Sequence, residues 1–174
     1  MVSLILLIVL TLVGFAAIHG TILQQKMAAN LYDREVAFQS TEAAMRTAEA
    51  LIPSTPAVVA RNCQSGGVVC QSNPFNDPGL PAGSIRDVAP GTAIGQFTAS
   101  VLGASQPQYV VENMGKFAVF SSSTGFSHSA NSHNYGANGG AITAIYYRVT
   151  ARSGDPAVVG DRAVVVLQAM IKQG

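Results

Sequence analysis

MVSLILLIVLTLVGFAAIHGTILQQ (residues 1–25) carries no charge of either sign and runs directly into KMAANLYDREVAFQSTEAAMRTAEALIP (residues 26–53), where Lys26 is the first charged residue. At 1.5 Å per residue, the uncharged stretch forms a helix about 37 Å long. A bilayer's hydrocarbon core is about 30 Å thick, so this helix spans it with modest tilt. A secretory signal peptide needs a basic head, a shorter apolar core and a small-residue exit. This stretch has no basic head, and FAAIHG is a poor exit. The second stretch is rich in Ala, Glu, Arg, Gln and Met and holds no Gly or Pro before Pro53, which favours continued helix. Met27, Leu31, Phe38, Met45, Ala48 and Ile52 recur at spacings of three, four or seven. That pattern predicts one apolar stripe that packs on the rest of the chain. Glu42 and Arg46 add an i,i+4 pair, and Pro53 and Pro56 end the helix. One helix from Met1 to Ile52 is roughly 78 Å long. The chain therefore divides into a membrane-spanning part (1–25), an amphipathic half of the same helix (26–53) and a globular domain (54–174).

Gly14 and Gly20 interrupt the apolar half. Small residues allow close helix packing in membranes. Equally, each Gly costs about 1 kcal/mol relative to Ala and marks a place where a helix can unwind on leaving lipid. Both readings stand. His19, near the membrane boundary, reads as an interfacial or helix-packing residue.

The whole chain has 174 residues and a net charge of +1, a size that suits one domain plus an appendage. Lys and Arg form no cluster, so there is no electrostatic footprint for nucleic acid. Residues 54–105 are punctuated by Pro, Gly and Asn and show no period. They contain both cysteines, Cys63 and Cys70. On the oxidising side of a membrane such a pair forms a disulfide. A metal site is the alternative, but no third or fourth ligand stands at zinc spacing.

Strands follow. PQYVVEN (107–113) and KFAVFSS (116–122) are short, β-branched and aromatic. ITAIYYRVTAR (142–152) places Ile145, Tyr147, Val149 and Ala151 on one face, with Arg148, Thr150 and Arg152 on the other. RAVVVLQAMIK (162–172) alternates in the same way, with Ala163, Val165, Leu167, Ala169 and Ile171 on one face. These last two runs flank SGDPAVVGD and read as an antiparallel hairpin. A half-buried sheet and an amphipathic helix cover each other, so the expected fold is α+β. Between the strands, Ser121–Gly140 is small, polar and Gly-rich, and is expected to be exposed and mobile. Its His128 and His133 lack a nearby carboxylate or thiol and read as ordinary loop histidines. No catalytic constellation, phosphate loop or calcium loop is present; no enzyme, metal or cofactor is expected.

Residues 23–52, LQQKMAANLYDREVAFQSTEAAMRTAEALI, resemble the conserved helix segment of the PilX family of type IV minor pilins. Leu23, Met27, Ala28, Asn30, Asp33, Arg34, Ala37, Phe38, Gln39, Glu42, Ala43, Ala44, Arg46, Ala48 and Glu49 match its pattern. QYVVE, YRVTARS and VVVLQ resemble its later strands. The resemblance implies a pilin-like fold: a long N-terminal helix packed by its second half on an antiparallel sheet. It also implies that a peptidase removes a short basic leader, leaving Met1 as the first mature residue with a methylated amine. That accounts for the missing positive head. The implied location is the inner membrane with the domain in the periplasm, then the cell-surface pilus. The implied partners are other minor pilins and the major pilin.

One position departs from the pattern. Most pilins carry glutamate where this chain has Ile5, and that carboxylate is thought to pair with a neighbour's N-terminal amine. The pilin-like family K of type II secretion also lacks it and is thought to sit at a tip. Ile5 is thus an expected assembly contact, although it equally spares the chain a buried charge. The leading reading is a minor pilin that starts or caps a pilus, with a tip adhesin and a type II secretion pseudopilin as alternatives.

Overall fold

The structure is a computed structural model and describes residues 2–100, 105–118 and 143–173. A single helix α1, Val2–Leu51, runs through both Gly14 and Gly20 without a break. It closes on bonds from Ile52 N–H to the Ala48 carbonyl (3.1 Å) and from Thr55 N–H to the Leu51 carbonyl (2.8 Å), flanking Pro53. The remaining elements are β1 (Val59–Asn62), β2 (Arg86–Asp87), β3 (Gln108–Ala118), β4 (Thr143–Arg152), a single-turn helix α2 (Pro156–Val159) and β5 (Val166–Gln173).

The sheet runs β1-β3-β4-β5, with β2 also paired to β3. β3, β4 and β5 form an antiparallel meander, with Val111 opposite Val149 and Val149 opposite Ala169. β1 departs from the expected all-antiparallel sheet, because it lies parallel to β3. Parallel neighbours need a long crossover, and the irregular segment between Asn62 and Gln108 supplies it. PQYVVEN and the start of KFAVFSS, expected as two strands, form one that begins at Gln108, just after Pro107. At the join the ladder slips a residue, between Asn113 and Gly115. Gly115 adopts φ +102° there, and a Cβ would collide with the Gln64 side chain. A bulge at this point needs glycine on both counts. RAVVVLQAMIK begins its strand only at Val166.

The core lies between α1 and the sheet. Ala44 and Ala48 of the helix, and Ile52 just past its end, form one core cluster with Val58, Val88, Tyr109, Val111, Tyr147, Val149 and Ala151. Burying each larger side chain contributes about 1.5–3 kcal/mol. The opposite face of the sheet is also covered. Val110, Glu112, Arg148 and Thr150 are buried, the first two and Thr150 almost completely. The sheet was expected to be half-buried, with Arg148 and Thr150 on the face opposite Tyr147 and Val149. Instead the connecting segment folds over that face, as the Arg148–Gln71 and Gln168–Ser72 bonds show.

Candidate functional site

Two regions stand out in chemistry: the exposed first half of α1 and the covered far face of the sheet. In the first, every described side chain from Val2 to Tyr32 is exposed. Leu4, Ile5, Leu6 and Leu7 are 56–64% exposed, with Leu12, Phe15 and Leu23 in the same state. No charge interrupts residues 2–25. The helix is long and apolar enough to cross a membrane. So much uncovered apolar surface marks a membrane or protein contact. Ile5 lies within it. Phe15 and His19 stack edge to face with centroids 4.4 Å apart. Met1, the expected methylated N-terminus, lies outside the described residues, as do His128, His133 and the whole 121–140 loop.

The second half of α1 does not use the stripe read from its large residues. Ile52 is buried and Met45 packs against the core, but Met27, Leu31 and Phe38 face outward at 66%, 67% and 42% exposure. The face that meets the sheet consists of Ala37, Ser40, Thr41, Ala44, Thr47, Ala48 and Ile52. It lies about a quarter turn round the helix from the expected stripe. Small side chains bring the helix backbone close to the sheet, and tyrosines on the strands fill the space. Thr41 satisfies its hydroxyl against the Ala37 carbonyl (2.8 Å) and the Val165 carbonyl (3.2 Å). The three- and four-residue recurrence of Ala, Ser and Thr was the available signal, but size and hydrophobicity outweighed it in the reading.

Asp33 fixes where the helix leaves the domain. Its carboxylate takes both the Nε and Nη2 bonds of Arg162, at 2.8 and 2.6 Å, and the backbone N–H of Ala163 at 2.7 Å. The Ala163 bond, with the Arg162 guanidinium, holds the Asp33 carboxyl below its ordinary range against the opposing effect of burial. Asp33 was noted in the sequence only as a matching residue.

On the far face, three adjacent strands put charged residues in one row. Glu112 of β3 is in register with Arg61 of β1 and with Arg148 of β4. The Glu112 carboxylate, fully buried, accepts from Arg61 Nε at 2.9 Å on one oxygen. Its other oxygen accepts from Arg148 Nε and Nη2 at 2.9 and 2.7 Å. Asp77, which follows a 3-10 turn at Pro74–Asn76, accepts from Arg61 Nη2 at 2.5 Å, the same nitrogen that lies 2.8 Å from Glu112. Two guanidinium groups and two carboxylates thus compensate each other. The Arg61 bond, assisted by the Gly79 N–H, holds the Asp77 carboxyl below its usual range. Burial pulls the Arg61 pKa down, but its two carboxylate partners outweigh that and raise it.

The covering segment is pinned in place by this row and by a disulfide. Cys63 and Cys70 are bonded, with Cα atoms 5.7 Å apart. Cys63 N–H is also tied to the Asn113 carbonyl at 2.8 Å. The two sulfurs and Glu112 lie close enough to suggest a metal trio, but sulfurs bonded to each other offer no thiolate ligands. Arg148 donates onward to the Gln71 carbonyl at 2.6 Å, and Gln168 to the Ser72 carbonyl at 2.8 Å. Sequence reasoning missed Arg61, Asp77 and Glu112. The usable signal was a lone carboxylate in QYVVEN with an arginine at the same height in YRVTAR.

An exposed apolar helix continuing into a helix–sheet domain with a stapled connecting segment is a pilin-like arrangement. The family model for PilX N-terminal matches residues 1–46, and that for type IV pilus assembly protein PilX C-term matches residues 37–173. The chain belongs to the PilX family of type IV pilus assembly proteins, a structural family of pilins. No curated protein and no solved structure matches it.

Proposed function

We propose that this chain is a minor pilin that helps to start or cap a type IV pilus, at or near the fibre tip, in a complex with other minor pilins. The reading is supported by the PilX family match and by a shaft that has no carboxylate anywhere between Val2 and Gln25. An amine entering an apolar bundle needs an opposite charge, because an unpaired buried ion is expensive. A subunit without that carboxylate cannot supply it to the next one, so repeated use along a shaft would leave amines uncompensated. The end of the fibre is where that demand is absent. Before assembly, residues 1–25 sit in the inner membrane, residues 26–53 carry the helix out of it, and residues 54–174 lie in the periplasm. On incorporation, apolar helices of neighbouring pilins, the major pilin included, replace lipid.

Deleting the gene and counting surface fibres tests the assembly role, and loss of fibres is the expected result. Normal fibres with poor attachment would favour the adhesin reading, and blocked enzyme secretion with normal fibres a type II secretion role. Gold labelling of an epitope on the domain should mark fibre ends. Regular labelling along the shaft would overturn the tip position.

A further inference from the structure

Glu112 has a neighbour besides the arginines. Its Oε1, which accepts from Arg61 Nε, lies 4.0 Å from Cys63 Sγ. Both cysteine sulfurs and a Glu112 carboxylate oxygen fall within 4.8 Å of one another. The Cys63 N–H bond to the Asn113 carbonyl, one residue past Glu112, holds this arrangement to β3. The carboxylate is fully buried, but the cysteines are only half-buried and residues 64–69 between them are exposed. Burial alone therefore does not shield the bridge from thiols in solution.

Opening a disulfide by thiol exchange places negative charge on its sulfurs. An external thiolate attacks one sulfur and forms a mixed disulfide with it. The old S–S bond breaks, and its electron pair leaves on the other sulfur, which then takes a proton from water. A second external thiolate resolves the mixed disulfide, so two thiols are oxidised as the bridge is reduced. Whichever cysteine is attacked, the other is expelled as a thiolate within 4.8 Å of Glu112. Like charges so close, in a partly dry site, disfavour that step. The guanidinium groups do not cancel the repulsion, because they are already committed. Arg61 bonds Asp77 as well as Glu112, and Arg148 bonds Glu112 and the Gln71 carbonyl. Two positive and two negative groups leave the row neutral, and a thiolate would make it negative.

We propose that Glu112 guards the Cys63–Cys70 bridge, its carboxylate opposing thiol–disulfide exchange once the sheet has formed. Glu112 stands 49 residues from Cys63 in the chain, and the pairing of β1 with β3 brings them together. Before that pairing the two cysteines exchange as any exposed pair does. After it the bridge is locked by charge instead of depth. Glu112 acts on the sulfurs through its field and forms no bond with them, so it is a positioning residue of this redox site.

The test times reduction of the bridge in the full chain, in uncharged detergent micelles at low salt, where charge effects are least screened. Two thiols of opposite charge are used, 2-mercaptoethanesulfonate and cysteamine, with rates expressed per thiolate. The readout is the ratio of the anionic to the cationic rate, which a uniform loss of stability does not move. In the native chain this ratio should fall below that of the chain unfolded in urea. Glu112→Gln keeps the shape and leaves the arginines in excess, so it should raise the ratio by about tenfold or more. Gln168→Ala removes the bond to the Ser72 carbonyl and loosens the cover without changing charge. It should speed both thiols alike and leave the ratio where it was. Equal acceleration of both thiols by Glu112→Gln would show that Glu112 acts through stability alone and overturns the proposal. A native ratio equal to that of the unfolded chain overturns it as well, and that comparison decides the matter if Glu112→Gln fails to fold.

Discussion

On the helix side of the sheet, Ala44, Ala48 and Ile52 cluster with Tyr109, Val111, Tyr147, Val149 and Ala151; on the far side, Glu112 meets two arginines beneath a disulfide-closed segment. Both faces exclude water, but they tolerate change differently. Apolar burial is non-directional and depends on volume, so the helix side should respond to size. A buried ion row depends on every partner being present, so the far side should respond to charge. The division lets the covering segment stay fixed without a hydrophobic core of its own, held by Arg148–Gln71 and Gln168–Ser72.

The comparison is tested hardest at Glu112. Glu112→Ala leaves Arg61 and Arg148 buried without their shared carboxylate, and should cost about 3–5 kcal/mol. Denaturant unfolding of the full chain in micelles reads the loss. Replacing Glu112 and Arg148 together leaves the Arg61–Asp77 pair intact and should cost less than Glu112→Ala alone. Additive or larger loss in the double variant would mean that the row is not a coupled unit.

Next in size is the staple. Opening Cys63–Cys70 in a Cys63→Ser/Cys70→Ser variant frees a short loop, worth about 2.5 kcal/mol in the chain-entropy model. Peptide mapping without reductant should first show the bridge in the isolated protein. Unfolding should then show the loss, with hydrogen exchange rising mainly at Gln71, Ser72 and Asp77 and little at Val149. Uniform loosening of both faces would break the distinction between them.

The helix side is sharpened by enlarging a small residue. Ala48 is fully buried, so Ala48→Leu forces the helix away from the strands and should cost about 1–3 kcal/mol. Phe38→Ala, on the outward face, should leave the domain's unfolding midpoint nearly unchanged. A reversal of that order would restore Phe38 to the packing stripe.

The parts that were legible in the sequence are those set by long, redundant patterns. The helix was readable because fifty residues without proline and with an uncharged first half allow little else. The β4–β5 hairpin was readable from period-two alternation. The face of α1 that packs was not, because its stripe is made of Ala, Ser and Thr. Such residues bury by proximity and carry little hydrophobic signal of their own. The far-face row was unreadable for another reason. Arg61, Asp77, Glu112 and Arg148 are scattered over some ninety residues, and only the parallel β1 and the long crossover bring them into register. Each looks like a solvated charge when read alone. The cysteine pair was legible because its partners are neighbours in the chain.

The smallest effect expected is a pH dependence shared unequally by the two faces. Asp77 on the far face and Asp33 at the helix exit both have carboxyls held below their ordinary range, Asp77 first by Arg61 and Asp33 first by the Ala163 N–H. A carboxyl whose folded pKa is depressed adds stability that is complete above its unfolded pKa, about 3.9 for Asp. That contribution is lost as pH falls through the folded value. Stability should therefore be flat from neutrality down to about pH 5 and fall below about pH 4. Asp33→Asn should make the fall shallower and, since Asp33 joins α1 to the loop before β5, should speed hydrogen exchange near Ala163 at neutral pH. Asp77→Asn should flatten the acid slope as well, but with exchange rising around Gly79 and Arg61. If both variants loosened the same amides, the two faces would share one network, and the separation drawn between them would be wrong.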